Sequence, residues 1–257
     1  MKRILTALAL VPAVAWVVLR ADQWIFLTVL VTVACLCYRE YDDIAGGYGF
    51  GNPGIVGYGA GLCLLMWWDA TWLFIVGFAL VSLVLVMRDK NLSHALPRAA
   101  LLLLGIVYIF GCWKCARPLR EISPHWLMYA LALNWIGDIG AYYIGKRFGR
   151  HKLAPRVSPN KSWEGSIASV IFSVAFGTFY LKTFIPSVPL EVAIGLTAAA
   201  NIAGQIGDLA ESAMKRGANV KDSGVILPGH GGFLDRVDST LFALPVIYGY
   251  LVLLARL

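Results

Sequence analysis

"EVAIGLTAAANIAGQIGDLAESAMKR", residues 191–216, starts apolar and ends charged, and the spacing of its polar residues decides how the chain is built. Asn201, Gln205, Asp208, Ser212 and Lys215 follow at steps of four, three, four and three, with Glu211 three residues after Asp208. Side chains three and four apart share one face of a helix. The stretch is therefore one helix with a polar stripe on an apolar body. In "LNWIGDIGAYYIG" (133–145), Asn134, Asp138 and Tyr142 fall four apart and make a second stripe. A carboxylate at membrane depth costs about 2.5–3.5 kcal/mol on insertion scales. Helix-packing hydrogen bonds explain a lone Asn134 or Gln205. Two helices that each carry an Asp on a polar stripe point instead to a bundle interior or a wet cavity.

The rest of the chain supports a membrane setting. Of 257 residues, 59% are hydrophobic and 14% charged, and the mean hydropathy is +0.70. A soluble domain carries about 25% charged residues, and a soluble core has no room for this much apolar surface. Nine apolar stretches run over 4–19, 24–38, 55–67, 70–87, 99–112, 126–145, 164–182, 189–206 and 237–256. A crossing helix needs about 20 mainly apolar residues, so 24–38, 55–67 and 99–112 are short and are expected to tilt, extend or re-enter. The expected fold is all-α, a polytopic integral membrane helical bundle of about eight or nine transmembrane helices. Residues 1–125 form its N-terminal helices and 126–257 its C-terminal catalytic region, in one continuous membrane domain. The basic start and small-residue "AVA" of the first stretch resemble a signal peptide, but the many later spans favour an uncleaved first helix.

With the N-terminus inside, most Lys and Arg residues fall in the inner loops, including the basic stretch 145–166 and the charged stretch 207–239. By the positive-inside rule both face the cytoplasm. A net charge of +7 suits anionic headgroups and polyanionic substrates. Cys35, Cys37, Cys63, Cys112 and Cys115 lie in or beside apolar segments, and the lone C-x-x-C has no second pair to complete a zinc site, so packing is their expected role. "GGYGFGNPG" (46–54) lacks the Lys-Ser/Thr ending of a P-loop and reads as a turn-rich loop.

The loop "GKRFGRHKLAPRVSPNKSWEGS" (145–166) ends on Ser162, which is placed to cap the next helix, with Glu164 near its N-terminal dipole. Lys161 beside such a helix start suits phosphate. In "GDLAESAMKRGANVKDSGVILPGHGGFLDRVDS" (207–239), Asp208, Glu211, Asp222, Asp235 and Asp238 alternate with Lys215, Arg216, Lys221 and Arg236. Carboxylates at the ends of two helices suit a hard divalent cation, and magnesium is commonly held by one or two carboxylates plus substrate phosphates. Cations beside that metal make sense when the ligand is a phosphate, because they neutralise the oxygens the metal does not reach. Gly231 and Gly232 would admit a phosphate to backbone N–H groups. His230 reads as a substrate contact rather than a base, since a phosphomonoester is already largely ionised near neutral pH, its second pKa being about 6.

From Ser212 through Met214, Lys215, Arg216, Lys221, Asp222, Gly224, Leu227, Pro228, His230, Gly231, Gly232, Phe233, Asp235 and Arg236 to Asp238, the chain resembles the signature of the phosphatidate cytidylyltransferases (CDP-diacylglycerol synthases). "SPNKSWEG" and "GDLAES" resemble further blocks of that family, and the similarity covers about 134–240. The resemblance implies an all-helical enzyme of the bacterial inner membrane that joins CTP to phosphatidate, with Mg²⁺ and a second ion such as K⁺. Metal ligation in the family maps onto Asp208 and Asp235. Asp222 and Asp238 are secondary members, with Lys215, Arg216, Lys221 and Arg236 around the phosphates. Substrate contacts are expected from Lys161, Glu164, Glu211, Ser212, His230, Gly231, Gly232 and Asp138. The expected partners are phosphatidate, CTP and membrane lipids, with a homodimer as an open assembly and no nucleic acid. One rival is a transporter with an intramembrane acidic site, which predicts polar residues across the bilayer depth and often inverted repeats. A second is a lipid phosphotransferase with another donor, since nothing in the bare spacing selects cytosine.

Overall fold

The computed structural model describes residues 2–67, 71–87, 91–226 and 231–253. Its helices follow the apolar stretches closely. They are α1 (Lys2–Leu19), α2 (Gln23–Gly46), α3 (Gly54–Met66) and α4 (Thr71–Val86). A helical run then comprises a 3-10 turn (Leu92–His94), α5 (Ala95–Gly105), a π-helical stretch (Ile106–Gly111), α6 (Cys112–Lys114) and α7 (Ala116–Ile122). After these come α8 (Pro124–Phe148), β1 (Lys152–Ala154), β2 (Ser158–Ser162), α9 (Trp163–Phe184), α10 (Leu190–Gly217), a 3-10 turn (Leu234–Arg236) and α11 (Asp238–Leu253).

Length and composition mark four of the described helical runs as able to cross a membrane: Gln23–Gly46, Leu92–Ile122, Trp163–Phe184 and Leu190–Gly217. Shorter apolar helices add Leu10–Leu19, Gly54–Met66, Trp72–Val86 and Asp238–Leu253. Large apolar side chains are exposed along them, as with Leu73, Val76, Leu80 and Val84 on α4 and Ile167, Ile171 and Phe179 on α9. A soluble surface rarely carries apolar bands of this extent, whereas lipid covers them at no cost. The chain is an integral membrane protein.

Two of the short stretches extend. Stretch 24–38 continues as helix to Gly46, because Cys37, Tyr38, Tyr41, Ile44 and Ala45 keep a buried face at helical spacing while Arg39 and Asp43 stay exposed. Stretch 99–112 lies inside the 31-residue run from Leu92 to Ile122. The basic stretch 145–166 is not all irregular, and this departs from an all-α chain. It folds into an antiparallel hairpin pairing Lys152 with Ser162 and Ala154 with Ser158. Val157 N–H closes its turn onto the Ala154 carbonyl at 3.1 Å, where Pro155 supplies a preset φ. Ser162 caps α9 as expected, accepting from Gly165 N–H at 3.2 Å. Of the stretch 46–54, residues 47–53 form the loop between α2 and α3, with positive φ at Gly49 and Gly51 and at Gly54, where α3 begins. The five cysteines form no disulfide; Cys37 is buried, and Cys63 is exposed rather than packed inside.

The chain forms two compact units that interleave in sequence. The first holds residues 1–7, 22–114 and 214–236. In it α2, α3 and the π-helical stretch pack closely: a Cβ at Gly61 would lie 2.0 Å from the Phe110 ring. Buried Lys114 donates to the Leu64 carbonyl at 2.7 Å and to the Trp67 carbonyl, satisfying carbonyls that the end of α3 leaves without helical partners. The second unit holds residues 8–21, 115–213 and 237–257. Here α8 runs along α9, and a Cβ at Gly137 would sit within 2.7 Å of Asn201, Ser173 and Ser169. Asn201 Nδ2 donates to Ser169 Oγ at 3.1 Å and Ser173 Oγ at 2.9 Å, while Gln205 Nε2 donates to Asn201 Oδ1 at 2.7 Å. The upper part of the polar stripe on α10 is thus helix-packing glue. The first carboxylate of that stripe follows one turn later, at Asp208.

Candidate active site

In the second unit, carboxylates from three helices come together. Asp208 of α10 pairs with Lys161 of β2 at 2.5 Å, the two side chains being 29% and 27% exposed. The hairpin, anchored by the Ser162 cap, therefore delivers its Lys onto the α10 carboxylate. Ser212, one turn on, donates to Asp208 Oδ1 at 3.4 Å. Glu211 is fully buried on the same helix, and Asp238 is buried at the start of α11. Asp238 accepts Ser239 N–H at 2.6 Å, and a carboxylate in the first turn is favoured by the helix dipole. Against that, Asp208, Glu211 and Asp138 all repel its charge. Close packing makes this approach possible: a Cβ at Gly207 would lie 2.8 Å from the Asp238 carbonyl oxygen. Asn134 is buried on α8 while Asp138 and Tyr142 are exposed, so that stripe is interior at one end and open at the other.

Glu164 takes a different partner. It accepts from His151 Nδ1 at 2.7 Å and from the His151 backbone N–H at 3.2 Å. It thereby pins the entry to the hairpin whose exit carries Lys161.

In the first unit, Asp235 is the centre of a tight knot. Lys215 Nζ reaches its Oδ1 at 2.5 Å, with both side chains 9% exposed. Ser223 N–H donates to its two oxygens at 3.2 and 3.0 Å, and Gly232 N–H to Oδ2 at 2.8 Å. Burial alone pushes the Asp235 carboxyl up, but the Lys215 contact and the Gly232 and Ser223 N–H groups outweigh it and hold the group below its ordinary value. Gly231 sits at φ +77°, where a side chain is strained. Arg216 donates to the Val220 carbonyl at 2.9 Å. Lys221, Asp222 and Arg236 are exposed. His230 lies outside the described residues.

The sequence reading missed Glu40. This side chain of α2 is 1% exposed. It accepts from Ser223 Oγ at 2.8 Å, Phe233 N–H at 2.8 Å and Leu234 N–H at 2.7 Å. Its signal in the sequence was a carboxylate within "YREYDD", where Arg39, Asp42 and Asp43 disguise it as part of a charged helix end.

There are thus two carboxylate–lysine pairs on family-like stretches: Asp208–Lys161 in one unit, on the "GDLAES" and "SPNKSWEG" blocks, and Asp235–Lys215 in the other, within the signature. Among the described residues, no group of three or more His, Cys, Asp and Glu side chains is arranged to hold a metal ion by itself. The donors present fit the other mode of magnesium binding, in which one or two carboxylates are completed by substrate phosphates. The charges of Asp208, Glu211 and Asp138 all repel that of Asp238, and a cation held there would relieve it.

The chain matches the model of the Cytidylyltransferase family over residues 1–254. It is 38% identical over 184 residues to a protein of Bacillus subtilis (strain 168) named phosphatidate cytidylyltransferase, covering 70% of this chain and 67% of that one. A protein of the same name from Staphylococcus aureus (strain COL) is 37% identical over 175 residues, covering 67% and 66%. One from Staphylococcus haemolyticus (strain JCSC1435) is likewise 37% identical over 175 residues, covering 68% and 66%. The matched stretch thus spans about two thirds of the length of these relatives.

Proposed function

The chain belongs to the Cytidylyltransferase family, and from that premise we propose that it is a phosphatidate cytidylyltransferase, joining CTP and phosphatidate to give CDP-diacylglycerol and pyrophosphate. An oxygen of the phosphatidate phosphate attacks the α-phosphorus of CTP in line. The new O–P bond forms as the α–β bridging bond breaks, and pyrophosphate leaves. The lipid nucleophile is already ionised near neutral pH, its second pKa being about 6, so the reaction requires no protein base. The chain's task is positioning and charge neutralisation, as is general for phosphoryl transfer.

The observation that carries this reading is the pairing of Asp235 with Lys215, within the signature, and of Asp208 with Lys161, on the two further family-like blocks, both at 2.5 Å. Lys161, Lys215, Arg216, Lys221 and Arg236 are the cations for the triphosphate and the lipid headgroup. Asp208 and Asp235 are the proposed Mg²⁺ ligands, with Asp222 and Asp238 in support and a monovalent ion such as K⁺ as the second. When bound, the divalent ion supplies polarisation of the α-phosphoryl group and shielding of the leaving pyrophosphate. Ser212, Asp138, Gly231 and Gly232 complete the proposed substrate contacts, Glu211, expected among them, is fully buried, and Glu164 positions the Lys161 hairpin through His151.

The apolar helices let the acyl tails stay in lipid while the headgroup is processed. We propose eight or nine crossings, a bacterial inner membrane and a cytoplasm-facing site, a reading that the apolar helices and the distribution of Lys and Arg support. The transporter alternative loses its footing, because the relatives named above are transferases by name. The test is to supply purified protein with phosphatidate, labelled CTP and Mg²⁺. CDP-diacylglycerol should form, and Asp208→Ala and Asp235→Ala should each abolish it. Full activity in both variants would sink the assignment of these two residues.

A further inference from the structure

Glu40 stands far from the signature in sequence but inside its fold. Three donors converge on its carboxylate: Ser223 Oγ, 183 residues away, and the backbone N–H groups of Phe233 and Leu234, 193 and 194 residues away. A carboxylate buried to this degree is costly unless its hydrogen bonds are made, and the loop 223–234 makes them. The loop in turn is shaped to fit. A Cβ at Gly232 would lie 1.9 Å from Ser223 Oγ and 2.4 Å from Glu40 Oε2, and one at Gly224 would lie 2.5 Å from Glu40 Oε1. These two glycines leave room for the Glu40 carboxylate, in addition to any access they give to phosphate.

The same backbone then holds Asp235. Ser223 receives Asp235 N–H on its Oγ at 3.3 Å and returns its own N–H to the Asp235 carboxylate. Gly232 N–H closes on Asp235 Oδ2 at 2.8 Å, and Lys215 completes the ring on Oδ1. Glu40 therefore holds Ser223 and the 233–234 backbone together, and the Asp235 carboxylate is caught between the Ser223 and Gly232 N–H groups.

We propose that Glu40 is a positioning residue: its buried carboxylate ties Ser223 to the Phe233 and Leu234 backbone and so fixes the orientation of the Asp235 carboxylate and, through it, of the Lys215 ammonium. It touches no substrate. Its identity as Glu matters, because three donors face it. A glutamine of nearly the same shape offers one acceptor oxygen and turns an NH₂ donor toward N–H groups. The inference rests on the proposed reaction only for what the loop does in catalysis.

The full chain, purified in detergent, is compared as wild type, Glu40→Gln and Ser223→Ala. For Glu40→Gln, kcat for CDP-diacylglycerol formation falls by about 10- to 100-fold, the scale of a small misplacement of reacting groups. KM for CTP and phosphatidate stays within about threefold, since the binding groups remain. Hydrogen exchange at Phe233 and Leu234 speeds up by at least about tenfold, while peptides of α8 and α9 keep wild-type rates, the mark of a local opening. Ser223→Ala moves both readouts in the same direction by less. A kcat within about twofold of wild type, or unchanged exchange at 233–234, overturns the proposal. If Glu40→Gln loosens the whole protein, Ser223→Ala decides, and no change there in either readout overturns it. A wild type that makes no product counts against the proposed reaction, and the exchange measurement then judges the role of Glu40 alone.

Discussion

Replacing Lys215 by methionine removes the charge from a buried pair while keeping most of the side-chain volume. The pair is short, 2.5 Å, and both side chains are 9% exposed. Breaking a buried ion pair by deleting one partner costs about 3–5 kcal/mol when the remaining charge is uncompensated. Asp235 is not left so bare, because Ser223 and Gly232 still donate their N–H groups, and hydrogen bonds to a charged group are worth about 1.5–3 kcal/mol each. The expected net loss at neutral pH is therefore about 2–3 kcal/mol, at the low end of the buried-pair range. For a chain of this size that is a fall in unfolding midpoint of about 4–10 °C.

The pH dependence gives the sharper check. Burial raises the Asp235 pKa, but Lys215, Gly232 N–H and Ser223 N–H more than reverse this, so the folded value lies below the ordinary one. Such a carboxylate contributes its full stability above its unfolded pKa, about 3.9, and loses that contribution as pH falls through the folded value. The gap between wild type and Lys215→Met should thus be full near neutral pH and shrink below about pH 4. Thermal unfolding of both proteins in the same detergent, at neutral and acid pH, measures it. An equal gap at the two pH values would refute the reasoning, because the missing energy would then not depend on an ionised Asp235.

Two further perturbations separate packing from catalysis. Gly232→Ala forces a Cβ to within 2.4 Å of Glu40 Oε2 and 1.9 Å of Ser223 Oγ; overpacking of this kind costs about 1–3 kcal/mol or more. Gly195→Ala, where nothing lies within 4 Å in the body of α10, should be neutral or stabilising by up to about 1 kcal/mol. Gly232→Ala should unfold clearly below the wild type, and Gly195→Ala at or slightly above it. The Lys161–Asp208 pair is more open, at 27% and 29% exposure, so a double-mutant cycle on stability should give a coupling below about 1 kcal/mol. Activity should respond far more, with Lys161→Ala lowering kcat by at least about 100-fold if its charge faces the reacting phosphates. A variant that loses stability and keeps its rate would make Lys161 a structural residue.

How much of this was legible in the sequence differs between elements. The helices were legible because lipid-facing and core-facing surfaces are both apolar, so each crossing reads as an unbroken stretch: 164–182 became Trp163–Phe184 and 237–256 became Asp238–Leu253. The end of α2 was hidden because Arg39, Asp42 and Asp43 face outward beside a buried Glu40, and a charge run marks a helix end more often than a buried face. The β1–β2 hairpin was hidden too, since three- and five-residue strands are held by backbone pairing and a turn and leave no apolar alternation to read. The stripe on α10 brought Asp208 into the candidate set, and the resemblance brought Asp235. The Lys161 pairing was foreshadowed only as a phosphate contact. Glu40 had no local signal, because its partners lie 183 residues and more along the chain, and periodicity carries no information about such pairings.

The central claim is that the chain transfers a cytidylyl group from CTP to phosphatidate. The most direct measurement follows the two ends of the nucleotide separately. Purified protein in mixed micelles with phosphatidate and Mg²⁺ receives CTP labelled at the α-phosphate in one reaction and at the γ-phosphate in another. The account predicts that the α-label passes into the lipid fraction as CDP-diacylglycerol, and that the γ-label leaves in pyrophosphate. Transfer of the γ-label to lipid, or no lipid labelling from either nucleotide, would contradict it.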